Sequence, residues 1–483
     1  MQEADIVIIG GGISGAVCFN ELAKRLPDQR TVLLEARERF GGRTCSEAVL
    51  GEDGQMHAID TGGQWIARSH AKVLSLVEAF GLELEEQTFP AAVSGEPCAL
   101  IEMAYYGLRP LTTEAQAQVE DFQKHLIASF RKLQQPGDAT ADEREEWDRR
   151  SVLEEISSHC ADPAAVEELS FFVQTVMATD SSQVSFLFFL HVIYVYGGGE
   201  RAMQLLGDGP EGAQALKVKG GMQQISERLV DEGLRANSNC RAKLGVMVQG
   251  IELSTEGGAL LVSSVAGAET VNIRCQRVVL ALAPPLILKA ITFSPFELLD
   301  SDRRSLYSAM IPGCAVKVIC LFSSPFWRSS SGAGIGDLSI SEVGIVSNIF
   351  ETSVGGRPGL VCLITGNFAK EYASLDPCER KSRVLQQLQC MYGAAYNPPL
   401  FFLEKDWTSE QFSAGCFAAN VGPSANAVFA RQGALLRADI LPGRILVAGT
   451  ETSEAFYGYI EGGARRGEEV ALSIEDGKGK DNE

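Results

Sequence analysis

The sequence predicts an α/β fold with two domains, and three observations support this prediction. First, an apolar run at residues 5–9 ends at three glycines and is followed by apolar residues at helical spacing. Second, another apolar run at residues 31–34 follows that helix, which gives the strand, helix, strand order of a parallel sheet. Third, a length of 483 residues suggests two or three domains, and a long middle separates these strands from a further apolar strand at residues 277–283.

The first unit has the layout of a dinucleotide-binding site, although an ordinary glycine-rich turn is the alternative. A pyrophosphate reaches the amide groups at a helix N-terminus only if the preceding turn lacks side chains. Gly10 allows the turn, Gly12 allows phosphate to approach, and Gly15 allows the helix to pack closely on the strand. Glu35, 20 residues past Gly15, is placed to bind ribose hydroxyls. We therefore predict a Rossmann-like domain in which Ser14 also contacts the ligand.

Two further loops indicate which dinucleotide is bound. A second glycine pair at residues 41–42, followed by an arginine, lets another loop approach a phosphate or a flavin edge. The run Asp-Thr-Gly-Gly-Gln-Trp at residues 60–65 comes next. Together these segments resemble the FAD-binding start of the flavin-containing amine oxidases. The resemblance implies that the residues contacting FAD in these loops are Arg37, Gly42, Arg43, Gly62, Gly63, Gln64 and Trp65.

Composition and charge limit the classes of function. An apolar content of 45% is typical of a globular protein, and a formal net charge of -20 argues against nucleic acid as a partner. No apolar stretch reaches the roughly 18 residues of a membrane span, and the acidic start is unlike a secretory signal. The 12 cysteines lack the paired spacing of zinc sites or disulfide scaffolds. We expect a cytoplasmic protein with no metal site, no membrane anchor and a solvated tail at residues 476–483.

The middle of the chain alternates helices with strands that return to the first unit. Residues 112–155 are predicted to be rich in helices, residues 186–196 to form a buried helix and residues 246–252 to form a strand. The strand at 277–283 ends at two prolines, as expected where a parallel strand leaves its domain. In the amine oxidases a strand like that at residues 246–252 returns to the cofactor. The FAD-binding domain is therefore predicted to be discontinuous. It would comprise residues 1–90, 218–292 and 410–475, and a substrate domain of mixed sheet and helices would comprise residues 91–217 and 293–409.

A lysine interrupts the most apolar strand of the middle. Residues 310–322 carry Lys317 among apolar neighbours, and an ammonium group is costly to bury without a partner. A surface lysine on an edge strand is the alternative. Closely similar segments of the amine oxidases, including a Pro-Phe-Trp-Arg like that at residues 325–328, carry a lysine that reaches flavin N5 through a water. The resemblance implies this role for Lys317, and burial would lower the pKa of its ammonium group.

Motifs near the C-terminus narrow the resemblance to the flavin-containing monoamine oxidase family. Residues 406–417, 443–452 and 457–464 match its motifs, whereas residues 91–217 match only in patches. The resemblance implies a flavin bound covalently to Cys416. It also implies an aromatic cage around the substrate amine, with core packing as the alternative for either aromatic alone. The cage walls would be Tyr459 and Phe417, and Phe417 stands in place of the usual tyrosine. Trp407 would lie beside the flavin and Gln214 beside the substrate. The residues at the cofactor would be Val248, Gly449, Glu451, Tyr459 and Ile460.

The activity that the resemblance implies is FAD-dependent oxidation of a primary or secondary amine to an imine and then an aldehyde, with reduction of O2 to hydrogen peroxide. Two alternatives stay open: an L-amino-acid or polyamine oxidase of the same superfamily, and a flavin-binding protein without significant turnover. An amino-acid oxidase needs a cation for the substrate carboxylate, and Arg68 and Arg109 are candidates. The sequence leaves open which amine is oxidised. It also leaves open the oligomeric state, and a homodimer is one of the states that it allows.

Overall fold

The computed structural model describes residues 2–87, 111–134, 139–195, 211–255, 258–267, 269–328, 344–424 and 433–481. The strands, in chain order, are β1 Gln2–Glu3, β2 Ile6–Ile9, β3 Thr31–Leu34, β4 Ser46–Leu50, β5 Met56–Asp60, β6 Trp65–Ile66, β7 Leu84–Glu86, β8 Leu216–Val218, β9 Arg241–Lys243, β10 Val246–Leu253, β11 Leu260–Ala266, β12 Glu269–Cys275, β13 Arg277–Leu280, β14 Thr292–Ser294, β15 Met310–Pro312, β16 Ala315–Leu321, β17 Asn348–Val354, β18 Arg357–Thr365, β19 Phe401–Asp406, β20 Ala419–Val421 and β21 Ile445–Val447. The α-helices are α1 Ile13–Arg25, α2 Ala71–Ala79, α3 Thr113–Gln134, α4 Ala141–Arg149, α5 Val152–His159, α6 Pro163–Met177, α7 Phe186–Val195, α8 Gln223–Ala236, α9 Pro284–Ala290, α10 Ser301–Ala309, α11 Gly366–Ser374, α12 Pro377–Tyr392 and α13 Ile460–Asp481.

A five-stranded parallel sheet contains the first two predicted strands. Its order is β21, β13, β2, β3, β9, and each neighbouring pair is parallel. Every residue of β2 and β3 is buried, as expected for parallel strands whose two faces are both covered. The sheet brings together strands from the beginning, middle and end of the chain.

Helix α1 packs against α8 and α13 through glycines. A Cβ atom at Gly233 of α8 would lie 2.9 Å from the Phe19 ring, and one at Gly467 of α13 would lie 2.3 Å from the carbonyl oxygen of Ser14. Side chains at these positions would push the helices apart, because a real Cβ atom does not come this close to other heavy atoms. The glycines therefore fix α1 with its N-terminus at the carboxyl end of β2.

Lys317 belongs to a separate antiparallel sheet with the order β17, β18, β16, β19. Its strand, β16, is an interior strand, and all seven of its residues are buried. The alternative of an edge strand with a surface lysine is therefore excluded. A third sheet, in the order β1, β12, β11, β10, β14, mixes parallel and antiparallel pairs.

The α/β class predicted from the sequence is confirmed, and most predicted elements are present. Helix α7 covers residues 186–195 of the predicted buried helix, and β10 covers the predicted strand at 246–252. The two prolines after β13 begin helix α9, because proline is tolerated in the first turn of a helix. Helix α13 runs to Asp481, past the predicted start of the tail at residue 476. The domain boundaries themselves stay a prediction. Within the described ranges, no helix has both the length and the apolar character that crossing a membrane requires.

Candidate active site

A cavity of about 590 Å³ is lined by residues of both the parallel and the antiparallel sheets. Its wall includes the glycine turn after β2, the end of β3 and the first half of β10. It also includes Lys317 of β16, part of α6 and the segment around Cys416. The cavity therefore connects the predicted dinucleotide site to the predicted catalytic residues.

Two glycine turns form the nucleotide side of this wall. Gly10 has a φ of +103° and Gly42 a φ of +59°, values that side-chain-bearing residues rarely adopt. The turns touch, because Gly41 N donates to Gly11 O at 2.9 Å and a Cβ at Gly42 would lie 3.1 Å from the Cα of Gly12. The glycines therefore expose only backbone atoms on the part of the wall where a phosphate would approach.

Glu35 follows β3 and lines the cavity beside the first turn. It is 4% exposed, and its carboxylate accepts hydrogen bonds from Gly11 N at 2.7 Å and Arg37 N at 2.9 Å. A carboxylate can accept about four hydrogen bonds, so these two leave room for hydroxyl donors. The geometry suits an acid that binds ribose hydroxyls.

The wall also carries buried polar atoms that lack partners within the described residues. These atoms are Ser14 Oγ, Gln64 Nε2 and Gln214 Oε1. A buried polar group without a hydrogen bond is unfavourable, and most such groups in proteins find a partner. A polar ligand spanning the cavity would supply partners, and the glycine turns leave space for its phosphates. The residues present therefore fit a flavin dinucleotide.

Arg43 connects the glycine turn to the C-terminal motifs. Its guanidinium group forms a bidentate salt bridge with Glu451, at 2.6 and 3.1 Å. It also donates a hydrogen bond to the carbonyl oxygen of Phe417 at 2.8 Å. Glu451 is 1% exposed and does not line the cavity, so in this structure it neutralises the charge of Arg43 without facing the cavity itself. Arg43 itself lines the cavity.

Lys317 lies on the cavity wall with its side chain almost fully buried, at 4% exposure. Its Nζ donates to Gly62 O at 2.9 Å and to Gln64 Oε1 at 2.5 Å, and it lies 5.2 Å from the centre of the Trp65 ring. Burial lowers the pKa of Lys317 to about 7, although the nearby Asp60 carboxylate opposes this shift. Near neutral pH the side chain can therefore either hold or release a proton.

Cys416 and Trp407 are close to each other on the same wall. Cys416 is 8% exposed, and burial raises the pKa of its thiol to about 11, whereas Arg43 and Lys317 act in the opposite direction. Its peptide bond to Phe417 is cis. Trp407 packs in one small cluster with Cys416, and its ring nitrogen donates to Thr61 O at 2.9 Å.

Both predicted cage residues, Phe417 and Tyr459, line the cavity. Tyr459 comes directly before α13, and its backbone carbonyl accepts from Thr450 Oγ1 at 2.8 Å. The ring of His70 contacts Tyr459 edge to face at 5.6 Å between ring centres. Burial lowers the pKa of His70 to about 3, so this supporting ring is neutral.

Most of the predicted site residues line the cavity, and a few do not. Gly15 lies behind the wall, where a Cβ would be 1.9 Å from Gly10 O, and so it acts in packing. Arg68 is exposed and pairs with Glu86, away from the cavity, while Arg109 lies outside the described residues. The predicted residues on the wall are Gly10, Gly12, Ser14, Glu35, Arg37, Gly42, Arg43, Gly62, Gly63, Gln64, Trp65, Gln214, Val248, Lys317, Trp407, Cys416, Phe417, Gly449, Tyr459 and Ile460.

The sequence analysis missed the residues that line the rest of the cavity. Helix α6 contributes one group, and the strands β17, β18 and β20 contribute another. In the sequence these residues have only the pattern of ordinary buried elements, so no local signal marks them as a site. Among them are Phe171, Phe172, Thr175, Val176, Asn348, Phe350, Leu363 and Asn420.

One cluster of potential metal ligands lies outside the cavity, at His125, Glu155 and His159. Its polar atoms already pair within the protein: Glu155 accepts from Arg150 at 2.9 Å and pairs with His125 at 2.9 Å. The Nδ1 atom of His159 lies 2.9 Å from the backbone carbonyl of Glu155. The cluster links α3 to α5, and we assign it no ion.

Comparison of the sequence with known proteins finds flavin-containing amine oxidases, both as a family and as individual relatives. The family model described as flavin containing amine oxidoreductase matches residues 13–474. A probable flavin-containing monoamine oxidase A of Dictyostelium discoideum is 28% identical, over 98% of this chain and 97% of the relative. The flavin-containing amine oxidase B of Homo sapiens is 27% identical, over 99% of this chain and 87% of the relative.

Solved structures also share the fold. A putrescine oxidase with bound putrescine superposes with a TM-score of 0.79 and 22% identity, over 98% of this chain and 99% of the other. The cyclohexylamine oxidase of Brevibacterium oxydans superposes with a TM-score of 0.77 and 24% identity, over 99% of both chains. The two enzymes are named for different amines, so this likeness concerns the fold and leaves the substrate open.

Proposed function

The chain belongs to the flavin-containing amine oxidoreductase family and is a flavin-containing amine oxidase, and from this premise we propose that its substrates are primary or secondary monoamines with an apolar or aromatic body. The observation that carries the proposal is the chemical character of the cavity wall. Much of the wall is apolar or aromatic, with Phe171, Phe350 and Leu363 among its residues. It offers space for an apolar body and few polar partners.

FAD, when bound, supplies the redox chemistry, by accepting a hydride equivalent from the amine α-carbon and passing electrons to O2, which yields hydrogen peroxide. We propose that the glycine turns, Ser14 and Glu35 hold its nucleotide part. Arg43, Trp65 and the segment after Trp407 would hold its flavin part. The proposal rests on the presence of these groups on one continuous wall.

We propose further that the flavin is attached covalently to Cys416. The thiol lines the cavity beside Trp407, and its pKa of about 11 means that it is protonated at neutral pH. Arg43 and Lys317 oppose this rise of the pKa and so favour the thiolate form electrostatically. They would therefore assist formation of a thioether bond between this sulfur and a methyl carbon of the flavin, in which two protons are released and two electrons pass through the flavin to O2.

The chain's own residues orient the amine and manage its proton. Phe417 and Tyr459 present aromatic rings to the cavity, and a cation facing such a ring gains about 0.5–2 kcal/mol. Because Phe417 lacks the hydroxyl of the usual tyrosine, we expect a weaker cage on that side. Lys317, with a pKa of about 7, can exchange a proton near the reacting groups at neutral pH.

Charges on the wall disfavour the two alternative oxidases. Among the described lining residues the one carboxylate is Glu35, at the nucleotide end, so none is placed to bind the distal ammonium of a diamine or polyamine. The lining arginines, Arg37 and Arg43, already face the acids Glu410 and Glu451. A substrate carboxylate would therefore find no unpaired arginine on the described wall, although the lysines Lys289 and Lys317 also line it.

The decisive experiment compares flavin bleaching without oxygen by three compounds of different charge. They are an arylalkylamine, its α-carboxylated amino acid and putrescine. We expect the arylalkylamine to reduce the flavin fastest. Faster bleaching by the amino acid or by putrescine would replace the proposal with the corresponding alternative, and no bleaching by any amine, with flavin bound, would favour a binding protein without turnover.

For the compartment we propose the cytoplasm. The described cysteines are free thiols and most are buried, which suits a reducing environment. The sequence leaves a homodimer open, and light scattering of the purified protein would test it.

A further inference from the structure

Gln64 contacts Lys317 and lines the same cavity, in which the flavin is proposed to bind. It is 4% exposed and lines the cavity. Its Oε1 accepts a hydrogen bond from Lys317 Nζ at 2.5 Å, whereas its Nε2 is buried without a partner among the described residues. One end of this amide is therefore satisfied, and the other is available to a ligand.

The orientation of the amide follows from chemistry. Lys317 makes its hydrogen bonds as a donor, also to the carbonyl oxygen of Gly62, so the Gln64 oxygen must face it. The NH2 group then has to point away from Lys317. An exchange of the two ends would place two donors against each other.

The backbone around Gln64 is held firmly in place. The amide nitrogens of Thr61 and Gly62 donate to Cys45 O at 2.8 and 3.0 Å, and Gly63 N donates to Arg43 O at 3.0 Å. A Cβ at Gly62 would lie 2.2 Å from that same arginine carbonyl, so the loop is closely packed. The Gln64 side chain therefore starts from a fixed point on the wall.

We propose that Gln64 tunes the redox potential of the flavin directly: its Oε1 holds Lys317, while its Nε2 donates a hydrogen bond to an acceptor on the bound flavin. The inference rests on the proposed flavin site. A donor at this position stabilises the reduced flavin, which carries more electron density on its acceptor atoms. Gln64 would then make the flavin a stronger oxidant of amines.

Gln64 also bears on the proton held by Lys317. Besides Gln64, the groups that influence this ammonium electrostatically are Asp60, Cys416, Lys217 and Cys45. An amide oxygen next to the ammonium stabilises its charged form, so loss of Gln64 would lower the pKa of Lys317 further. This effect has to be separated from a direct hydrogen bond to the flavin.

The test is a double-mutant cycle on the flavin midpoint potential. Gln64→Met keeps the bulk and removes both the donor and the amide oxygen, and it is made in the wild-type protein and in Lys317→Met. Potentials are measured by equilibration with reference dyes, without amine or oxygen. We expect Gln64→Met to weaken the preference for reduced flavin about tenfold in both backgrounds, a fall of about 30 mV for a two-electron couple.

Each outcome decides the inference. An unchanged potential in Gln64→Met, or a shift that vanishes in Lys317→Met, would overturn the direct contact with flavin. Gln64→Leu replaces Gln64→Met if the latter does not fold. The matched control is Gln174→Met, since Gln174 is also buried, its Nε2 has no partner among the described residues, and it does not line the cavity. The flavin potential of this variant should equal that of wild type. Because no amine is present, failure of this inference is distinguishable from failure of the proposed monoamine activity.

Discussion

Cys416 is the residue proposed to carry the flavin covalently, and its surroundings act on its thiol in two directions. Burial favours its neutral thiol, while Arg43 and Lys317 favour the thiolate. A thiol that faces the cavity beside two cations is suited to attack by its sulfur on a bound flavin. Its backbone is also fixed, because Cys416 N donates to Gly313 O at 2.9 Å.

We expect Cys416→Ala to fold and bind flavin without a covalent bond. The substitution removes one sulfur from a site that many other groups line, so the cavity should remain. After acid precipitation, the wild-type pellet should stay yellow, and the variant should release its flavin into the supernatant. Complete release of flavin from the wild-type protein would contradict covalent attachment.

Lys317 illustrates what sequence can establish about a single residue. A lysine among apolar residues was recognisable, and its predicted burial is confirmed. Its partners were not recognisable, because Gly62 and Gln64 lie more than 250 positions earlier in the chain. The register of β16 and the path of the loop after β5 bring them together only in the folded protein.

At the scale of elements, the crossing of α1 and α13 determines where the glycine turn lies. Gly467 of α13 rests on the carbonyl oxygen of Ser14, in the first turn of α1. The sequence predicted α1 and its glycine turn, since both are encoded within a short stretch. It did not predict this crossing, which depends on a glycine at the opposite end of the chain.

We expect Gly467→Ala to destabilise the protein and to weaken flavin binding. Its Cβ would lie 2.3 Å from a backbone atom, so the two helices must move apart. Overpacking of this kind costs about 1–3 kcal/mol, which exceeds the gain of up to about 1 kcal/mol from alanine's helix propensity. Thermal unfolding and flavin release on dilution would measure the two effects.

Gly477 provides the matched control for this element. It lies on the same helix, and a Cβ there would meet nothing within 4 Å. Gly477→Ala should therefore leave flavin binding unchanged and should not lower the melting temperature. Equal behaviour of the two variants would show that the contact with Ser14 does not constrain α1.

At the scale of the whole molecule, the two sides of the cavity differ in how far sequence predicts them. The nucleotide side could be predicted because glycines, strands and the acid Glu35 occur at fixed local spacings. The amine side could not, because Phe171, Asn348 and Leu363 come from separate elements and become neighbours only through packing.

A carboxylate placed on the amine side should therefore change the preferred substrate. Thr175 of α6 lines the cavity, and its hydroxyl donates to Phe172 O within its own helix. Thr175→Asp would offer a charged acceptor to a second ammonium group. A hydrogen bond to a charged group contributes about 1.5–3 kcal/mol, so kcat/KM for putrescine should rise roughly tenfold or more.

Thr175→Asn is the control for this charge, because it has the shape of aspartate without the carboxylate. If charge complementarity selects the substrate, Thr175→Asp alone should gain putrescine oxidation, and it should lose activity towards the arylalkylamine, whose apolar body would meet a buried anion. Circular dichroism and flavin content would establish that both variants are folded. Equal putrescine kinetics in the two variants would mean that Thr175 lies beyond the reach of the distal ammonium, and that the selecting surface is the antiparallel sheet rather than α6.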